Sequence, residues 1–348
     1  MKVFTVRNVH EALIRGMDAL RSSVNYHLQK SRNGDTLEFN TPITTVYTRP
    51  MERVLFWEER DANPFFHFFE GLWMLGGRED VDSISWFNSN MKQYSDNGIT
   101  FNGAYGRRWR SYFRKDQLSV IIKRLKADPE DRRCVLGMWD PRKDLTVLGP
   151  YDSVDIPCNT QVYFKIREEK LNMTVCCRSN DMIWGAYGAN AVHFSTLHEY
   201  MSAMIGVPMG IYTHISDSLH VYKDVFEKLH KKMLDIDPFG WPIENPYESE
   251  TVAPYPMFVD ADIPMWNSDL QQFLTYTEQL QKKADKWDEV ELLYINPFFT
   301  NVAVPIIEAW HLHKTKKRTE DAIWYLEQNC QATDWALAGV EWLQRRIK

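Results

Sequence analysis

Cys158 lies in the run Asp155-Ile156-Pro157-Cys158-Asn159-Thr160-Gln161, just ahead of the alternating stretch Val162-Tyr163-Phe164-Lys165-Ile166. A cysteine at the mouth of a predicted strand, directly after a proline, stands where a reactive thiol would. An isolated cysteine is ordinarily a small buried hydrophobe. Here the basic residues downstream favour a nucleophile, because neighbouring cations lower a thiol's pKa. Those residues form Arg178-Ser179-Asn180-Asp181, an anion-binding type of cluster. Guanidinium forks and a hydroxyl suit a phosphate. A second pair, Arg132-Arg133, precedes the apolar run from Cys134 to Trp139. A lone arginine usually ends in a surface ion pair, whereas a pair at a strand mouth could face a ligand or another subunit. Asp217, His220 and Tyr222 follow, with a His and a Tyr two apart that can both reach a sugar hydroxyl. Their other reading is a buried polar network at a helix start.

Glu70 stands in Phe65-Phe66-His67-Phe68-Phe69-Glu70-Gly71-Leu72-Trp73. A carboxylate in so apolar a helix is either paired structurally or functional, and a raised pKa would suit proton transfer. His193 and His198 read as ordinary helix residues, and His311 with His313 as solvated. No metal-ligand set emerges.

Several elements must position these groups. Residues 8–30 read as an amphipathic helix, with Ala12, Leu13, Ala19, Leu20 and Val24 on one side. Arg32-Asn33-Gly34-Asp35-Thr36 reads as a turn feeding strands at 37–39 and 43–48. Asn63-Pro64 opens a helix over 63–76. Helices are expected at 116–127, 189–205 and 217–234, and strands at 134–139 and 211–215, with a hairpin over 159–167 and 170–177. A proline-rich excursion spans 235–266. Helices follow at 267–285, 302–313, 317–330 and 332–346. The mixed order predicts an α+β fold, a mixed sheet with surrounding helices. The expected organisation is a core over 1–234, with 235–348 packed on it in a single domain.

Of 348 residues, 44% are hydrophobic and 14% aromatic, enough for a large core. The net charge of −6 argues against a general nucleic-acid binder, but a small anionic substrate needs only a local basic pocket. The five cysteines, two of them adjacent, form no disulfide framework and fit a reducing compartment. With no signal-peptide pattern and no long apolar run, no membrane association and a cytoplasmic location are expected.

Thiol, arginine cluster and His-x-Tyr in this order resemble the thymidylate synthase superfamily, over roughly residues 8–230. Arg32 with Gly34 and Thr36 resembles the family's phosphate-loop arginine motif. Glu70 and Trp73 sit like its catalytic glutamate and following tryptophan. Tyr105-Gly106-Arg107-Arg108-Trp109-Arg110 resembles the Tyr-Gly-x-x-Trp-Arg segment, whose tyrosine helps remove the C5 proton. Arg132 and Arg133 resemble the arginines that a partner subunit gives to the phosphate site. Cys158 matches the nucleophile. Arg178, Ser179 and Asp181 match phosphate and folate-side residues, and His220 and Tyr222 the pair holding the sugar 3′-hydroxyl. The resemblance implies a homodimer and one-carbon chemistry at C5 of a pyrimidine nucleotide, with 5,10-methylenetetrahydrofolate as cofactor.

The departures matter as much. The family's Pro-Cys-His is here Pro157-Cys158-Asn159. Its Gly-x-Pro-Phe-Asn becomes Gly185-Ala186-Tyr187-Gly188-Ala189-Asn190, with one residue more before the Asn. Its Trp-rich segment before the Tyr-Gly motif becomes Asn90-Met91-Lys92-Gln93-Tyr94, and its short apolar tail gives way to helices ending Arg345-Arg346-Ile347-Lys348. Arg178-Ser179-Asn180-Asp181 and Ser218-Leu219-His220-Val221-Tyr222 look more like the nucleotide hydroxymethylases of phages and antibiotic pathways. A synthase excludes water from the exocyclic methylene; a hydroxymethylase admits it. Losing the tail and the tryptophan wall favours water. The expected function is therefore hydroxymethylation at C5 of a pyrimidine nucleoside monophosphate, in the host cytoplasm if the chain is phage-encoded. Asn190 leans towards dUMP, with dCMP or CMP as the other bases. A thymidylate synthase making dTMP and a non-catalytic nucleotide-binding relative are the alternatives.

Overall fold

Eight strands make one mixed sheet among the described residues: β1 (Lys2–Val6), β2 (Tyr26–Ser31), β3 (Gly34–Phe39), β4 (Ile43–Tyr47), β5 (Val135–Gly137), β6 (Asn159–Arg167), β7 (Lys170–Asp181) and β8 (Met209–Tyr222). The structure, a computed structural model, describes residues 1–145, 153–236, 244–258, 263–282 and 294–347. The strand order is β1-β4-β8-β7-β6-β5, and the β2–β3 hairpin joins β8 through β3. β6 and β7 form an antiparallel hairpin. It reverses at Glu168-Glu169, both in the left-handed region at φ 50 and 58, the twist that a two-residue hairpin turn requires. β7 then runs parallel to β8 after the crossover helix Asn190–Ile205, which Gly206 ends at φ 91.

Alternation drives this sheet. Val162, Phe164, Leu171, Met173, Val175 and Tyr212 face the core, each at most 2% exposed. Tyr163, Thr174 and Thr213 share one row of the opposite face, where Tyr163 is exposed and the threonines half-buried.

The chain divides into two compact units that interleave along the sequence. The first comprises Met1–Ala62, Asp116–Thr146 and Pro157–Thr251 and holds the whole sheet. The second comprises Asn63–Lys115, Val147–Ile156 and Val252–Lys348. Neither coincides with the 1–234 and 235–348 segments of the sequence reading. In the second unit the helix Pro64–Leu75 starts as expected: Asn63 Oδ1 accepts from the Phe66 N–H at 3.2 Å, and Pro64 fixes the first turn. Its Phe65 packs on Trp310 and Trp342, and its Phe68 on Phe298 and Trp335. The C-terminal helix Thr333–Gln344 is therefore part of this unit's core.

Three expectations change. The first helix is Val9–Ala19, and residues 26–31 are strand. Val24 and Leu28, 80% and 55% exposed, give this segment no buried stripe to hold a helix, and β3 pairs with it instead. Residues 217–222 extend β8, because Leu219 and Val221 are buried while Asp217, Ser218, His220 and Tyr222 are not, a strand's period. His311 is buried at 1% exposure beside Trp86, not solvated. The fold is the α+β mixed sheet with surrounding helices that the sequence predicts.

Candidate active site

Strand direction gathers most of the singled-out residues of the first unit at one end of the sheet. β7 and β8 are parallel, so their C-terminal ends lie together; β6 is antiparallel, so its N-terminus joins them. That end carries Cys158 just before β6, Arg178 to Asp181 at the end of β7, and Ser216 to Tyr222 at the end of β8. Ser179 pairs with Ser218 and Asp181 with His220.

Cys158 is half-buried. The pairing of β6 with β7 shifts register between Asn159 and Gln161, a bulge that turns the preceding residue away from the ladder. The Cys158 carbonyl accepts from the Arg178 backbone N–H at 2.9 Å, and the Pro157 carbonyl from Arg178 Nε–H at 2.9 Å. The Arg178 guanidinium lies 5.7 Å from the Trp139 ring centroid. The other nearby thiol is unlike it: Cys177 is buried, donates to the Ser179 carbonyl at 3.1 Å, and burial pushes its pKa far up. Of these two neighbours, Cys158 alone has the exposure a nucleophile needs.

Asn190 reaches the same place by an irregular path. Residues Met182–Ala189 form a π-helical turn with non-helical angles at Tyr187 and Gly188. Such a turn holds one residue more than an α-turn. It absorbs the extra residue noted in the sequence and delivers Asn190 to the site. Asn190 Oδ1 accepts from Asn159 Nδ2 at 3.2 Å, and its Nδ2 donates to Asn180 Oδ1 at 3.0 Å. Asn159 and Asn180 are buried; Asn190 is half-buried.

His220 and Tyr222 alternate along β8, with rings T-shaped at 6.2 Å. The Tyr222 hydroxyl accepts from Asn33 Nδ2 at 3.4 Å, which ties it to the turn that carries Arg32. Arg32 is exposed there. Asp181 Oδ1 accepts from the backbone N–H groups of Ile183 (2.8 Å) and Trp184 (2.6 Å), while its Oδ2 is buried with no hydrogen-bond partner. Burial pushes this carboxyl up, against the pull of those donors, His220 and Arg60. Beside it Trp184 is 51% exposed, its ring backed by the buried Arg60 guanidinium at 4.1 Å. Arg60 Nε donates to the Ile183 carbonyl at 3.0 Å, and burial lowers its pKa to about 10.

Arg132 and Arg133 do not join this group. Val135 pairs with Tyr163 and the Cys134 carbonyl accepts from Phe164 N–H, so Arg133 is level with the far part of β6. At about 3.3 Å per residue that is roughly 20 Å along the strand from Cys158. Arg133 is exposed, and its Nε–H donates to Asp131 at 3.0 Å. Asp131 also pairs with Arg124; the hydrogen bonds from Arg133 and Arg124 hold its carboxyl down at about 2.

In the second unit, Glu70 is buried on the helix Pro64–Leu75 and Tyr105 opens the helix Tyr105–Arg110, half-buried. Gly106 brings those helices together: a Cβ there would lie 2.0 Å from the Met74 carbonyl oxygen. Only a glycine allows so close a backbone approach. Trp73 Nε1–H donates to Asp80 Oδ1 at 3.1 Å.

Sequence reasoning missed Arg60 and Trp184, the stacked pair beside Asp181. A tryptophan within an apolar run carries no sign of exposure. It also missed Tyr212, His214 and Ser216, which continue the asparagine network inside the fold. Asn159 was visible only as a departure from Pro-Cys-His.

The thymidylate synthase model matches residues 65–243. A deoxyuridylate hydroxymethyltransferase of Pseudomonas phage M6 is 46% identical over 354 residues, covering 99% of this chain and 95% of that one. The chain belongs to the thymidylate synthase family. The resemblance drawn from its motifs, including that to the hydroxymethylase subgroup, is borne out. A deoxyuridylate hydroxymethyltransferase of Bacillus phage SP01 is 38% identical over 218 residues, 60% of this chain and 56% of that one. A putative thymidylate synthase of Methanothermobacter thermautotrophicus is 36% identical over 172 residues, 48% of this chain and 73% of that one. As a thymidylate synthase family member the chain is a one-carbon transferase, and the family implies a folate donor. The residues present fit a folate: the partnerless buried Oδ2 of Asp181 can accept from a pterin N–H, and the exposed Trp184 ring offers it a plane. No helix among the described residues is long and apolar enough to cross a membrane.

Proposed function

We propose that this protein hydroxymethylates C5 of dUMP, with 5,10-methylenetetrahydrofolate as the one-carbon donor. One observation carries the choice of hydroxymethyl over methyl. The similarity to the phage M6 hydroxymethyltransferase spans 99% of the chain, so it runs on through the C-terminal helices, whereas the synthase match ends at residue 243.

The folate, when bound, supplies one carbon at the oxidation level of formaldehyde. Asp181 and Trp184 hold it. Cys158 donates a thiolate electron pair to C6 of the base, which makes C5 nucleophilic. Tyr105 assists loss of the C5 proton, and Glu70 with ordered water moves protons at the base. The one-carbon unit bonds to C5, the C5 proton is lost and the carbon's C–N bond to tetrahydrofolate breaks. Water then adds to that carbon, and the thiolate leaves C6 as the C5–C6 double bond re-forms. Asn190 reads the base, His220 and Tyr222 hold the 3′-hydroxyl, and Arg32, Arg178 and Ser179 bind the phosphate.

Arg132 and Arg133, too far along β6 to serve their own Cys158, would complete the phosphate site of a second copy. The polar and half-exposed row Tyr163, Thr174, Thr213 supports packing of sheet against sheet in a homodimer. The reaction is cytoplasmic, in an infected host if the chain is phage-encoded.

Mass spectrometry of the nucleotide product tests the reading. Incubation with dUMP and methylenetetrahydrofolate should give the hydroxymethyl product, which is one oxygen heavier than dTMP. Accumulation of dTMP would overturn it.

A further inference from the structure

Asn190 is the half-buried middle link of a hydrogen-bond chain whose other members are buried. His214, Ser216 and Tyr212 on β8 are 2%, 4% and 1% exposed, and Asn159 and Asn180 are 0% and 1% exposed. His214 Nε2 lies 3.1 Å from Asn159 Oδ1, and its Nδ1 lies 2.9 Å from the Tyr212 hydroxyl. An amide oxygen only accepts, so Nε2 carries the proton. A neutral imidazole then accepts at Nδ1, and Tyr212 O–H donates. Asn159 Nδ2 donates to Asn190 Oδ1, Asn190 Nδ2 to Asn180 Oδ1, and Asn180 Nδ2 to Ser216 Oγ at 2.9 Å. The bonds therefore run in one sense, from Tyr212 to Ser216. The 3.3 Å approach of Asn180 Nδ2 to His214 Nε2 sets two donors face to face and carries no bond in this tautomer.

Gly185 makes room for the link that matters. A Cβ there would sit 2.7 Å from Asn180 Oδ1 and 3.3 Å from Asn190 Nδ2. Burial lowers the pKa of His214 to about 3, so the ring is neutral at ordinary pH and can pass on a sense. A doubly protonated ring would donate from both nitrogens and break the chain.

We propose that Tyr212 and His214 are positioning residues for base specificity, which lock the Asn190 amide in one orientation through Asn159. This rests on the reading of Asn190 as the base-reading residue. Locked this way, Asn190 keeps an Nδ2–H donor and an Oδ1 lone pair for a ligand. Uracil offers the matching pair, the O4 acceptor and the N3–H donor. Cytosine offers the reverse, an N3 acceptor and an N4 amino donor. To read cytosine, Asn190 would have to flip. The flip would set donor against donor at Asn159 and acceptor against acceptor at Asn180, unless every amide reversed and His214 changed tautomer. Selection against cytosine is thus spread over the buried residues behind Asn190.

Two measurements test this. Nitrogen-15 NMR of the nucleotide-free protein should show His214 as the Nε2–H tautomer; an Nδ1–H tautomer would overturn the proposal. This needs no substrate, so it stands even if the proposed reaction is wrong. The second is tritium release from C5-labelled dUMP and dCMP by wild type, Tyr212→Phe and Ser216→Ala. The kcat/KM ratio of dUMP to dCMP should fall about tenfold in each variant, the worth of one buried hydrogen bond. Equal losses on both bases, or an unchanged ratio in a folded variant, mean a purely structural role and refute it. Should wild type release tritium from neither base, the proposed function fails, and the NMR result decides the network alone.

Discussion

Arg178 holds Cys158 by its main chain and Pro157 by its side chain: N–H to the Cys158 carbonyl and Nε–H to the Pro157 carbonyl, each at 2.9 Å. One residue of β7 thus fixes the loop that carries the thiol and brings a permanent positive charge beside it. Arg178→Lys keeps the charge but loses the planar fork and its place on Trp139. A displacement of about 1 Å at a reacting group costs on the order of 100-fold. We expect kcat to fall by that order, with a smaller change in KM. The pH profile of Cys158 alkylation should move little in Arg178→Lys and upwards in Arg178→Ala. Unchanged profiles in both variants would show that Arg178 does not tune the thiol.

Cys158→Ala should abolish turnover and leave nucleotide binding largely intact, since the proposed phosphate and sugar contacts lie on other residues. Calorimetry with dUMP measures the binding, and product assay the turnover. Wild type should form a covalent adduct with 5-fluoro-dUMP, visible as added mass, and the variant should not. Near-normal turnover by the variant would remove the covalent mechanism.

Arg133 and Cys158 lie roughly 20 Å apart along β6. Shared sites in a homodimer therefore make a sharp prediction. Arg133→Ala and Cys158→Ala homodimers should each be nearly inactive, and mixing the chains should restore part of the activity, because one mixed site is whole. No rescue in verified heterodimers would mean that the arginines do not cross.

Most of the candidate site was legible because its residues are local in sequence. Pro157-Cys158 and Arg178-Ser179-Asn180-Asp181 are contiguous runs, and alternation put β6 and β7 in place. The errors have physical causes. Helix propensity up to Ala19 says nothing of residues 26–31, which are strand only because β3 pairs with them. Burial of His311 depends on aromatic residues far away in sequence. The extra residue before Asn190 departs from the family motif, and its resolution by a π-turn is a backbone fact with no sequence signature. The amide network joins Asn159, Asn180, Asn190 and His214 across four elements, so no window of sequence contains it.

Acid should weaken the fold through its buried histidines. Burial lowers His198 to about 4 and His214 to about 3. The unfolded chain takes up protons near pH 6.5 and the folded one only near pH 3 to 4, so in that window the unfolded state holds more protons. Their contribution is full above about pH 6.5 and is lost as pH falls, at about 1.4 kcal/mol per pH unit for each histidine. Asp155 works the other way. Burial raises it to about 6, so its proton favours the folded state between about pH 6 and the ordinary carboxylate range. His198→Gln keeps a donor for the Leu171 carbonyl, which His198 Nε2 meets at 2.6 Å. Denaturant unfolding from pH 7 to 5 should show a shallower loss in this variant than in wild type. Parallel curves would assign the acid sensitivity elsewhere.

In sequence, C-terminal helices follow where the family resemblance implies a short closing tail. Trp342 packs on Phe65 and Trp310, Trp335 on Phe68, and Leu343 is fully buried. Gly339 lies against Leu326 and Phe65, where a Cβ would come within 2.5 Å of Leu326. Phe65 and Phe68 belong to the same helix as Glu70, so the C-terminal helix is core to the element that carries the proposed proton-transfer group. Emptying one large buried site costs about 2–5 kcal/mol, and three or more such sites go when residues 331–348 are removed. That loss rivals the whole stability of an ordinary domain, about 5–15 kcal/mol. Truncation at residue 330 should therefore lower the thermal midpoint drastically or leave the protein insoluble, before it changes the product. The same packing predicts little movement of the chain terminus when folate binds, measurable by hydrogen exchange of 333–344 with and without ligand. A soluble, folded truncation that switched from hydroxymethyl to methyl product would make the helices a selector of chemistry rather than a support. Strong folate-induced protection of this helix would do the same.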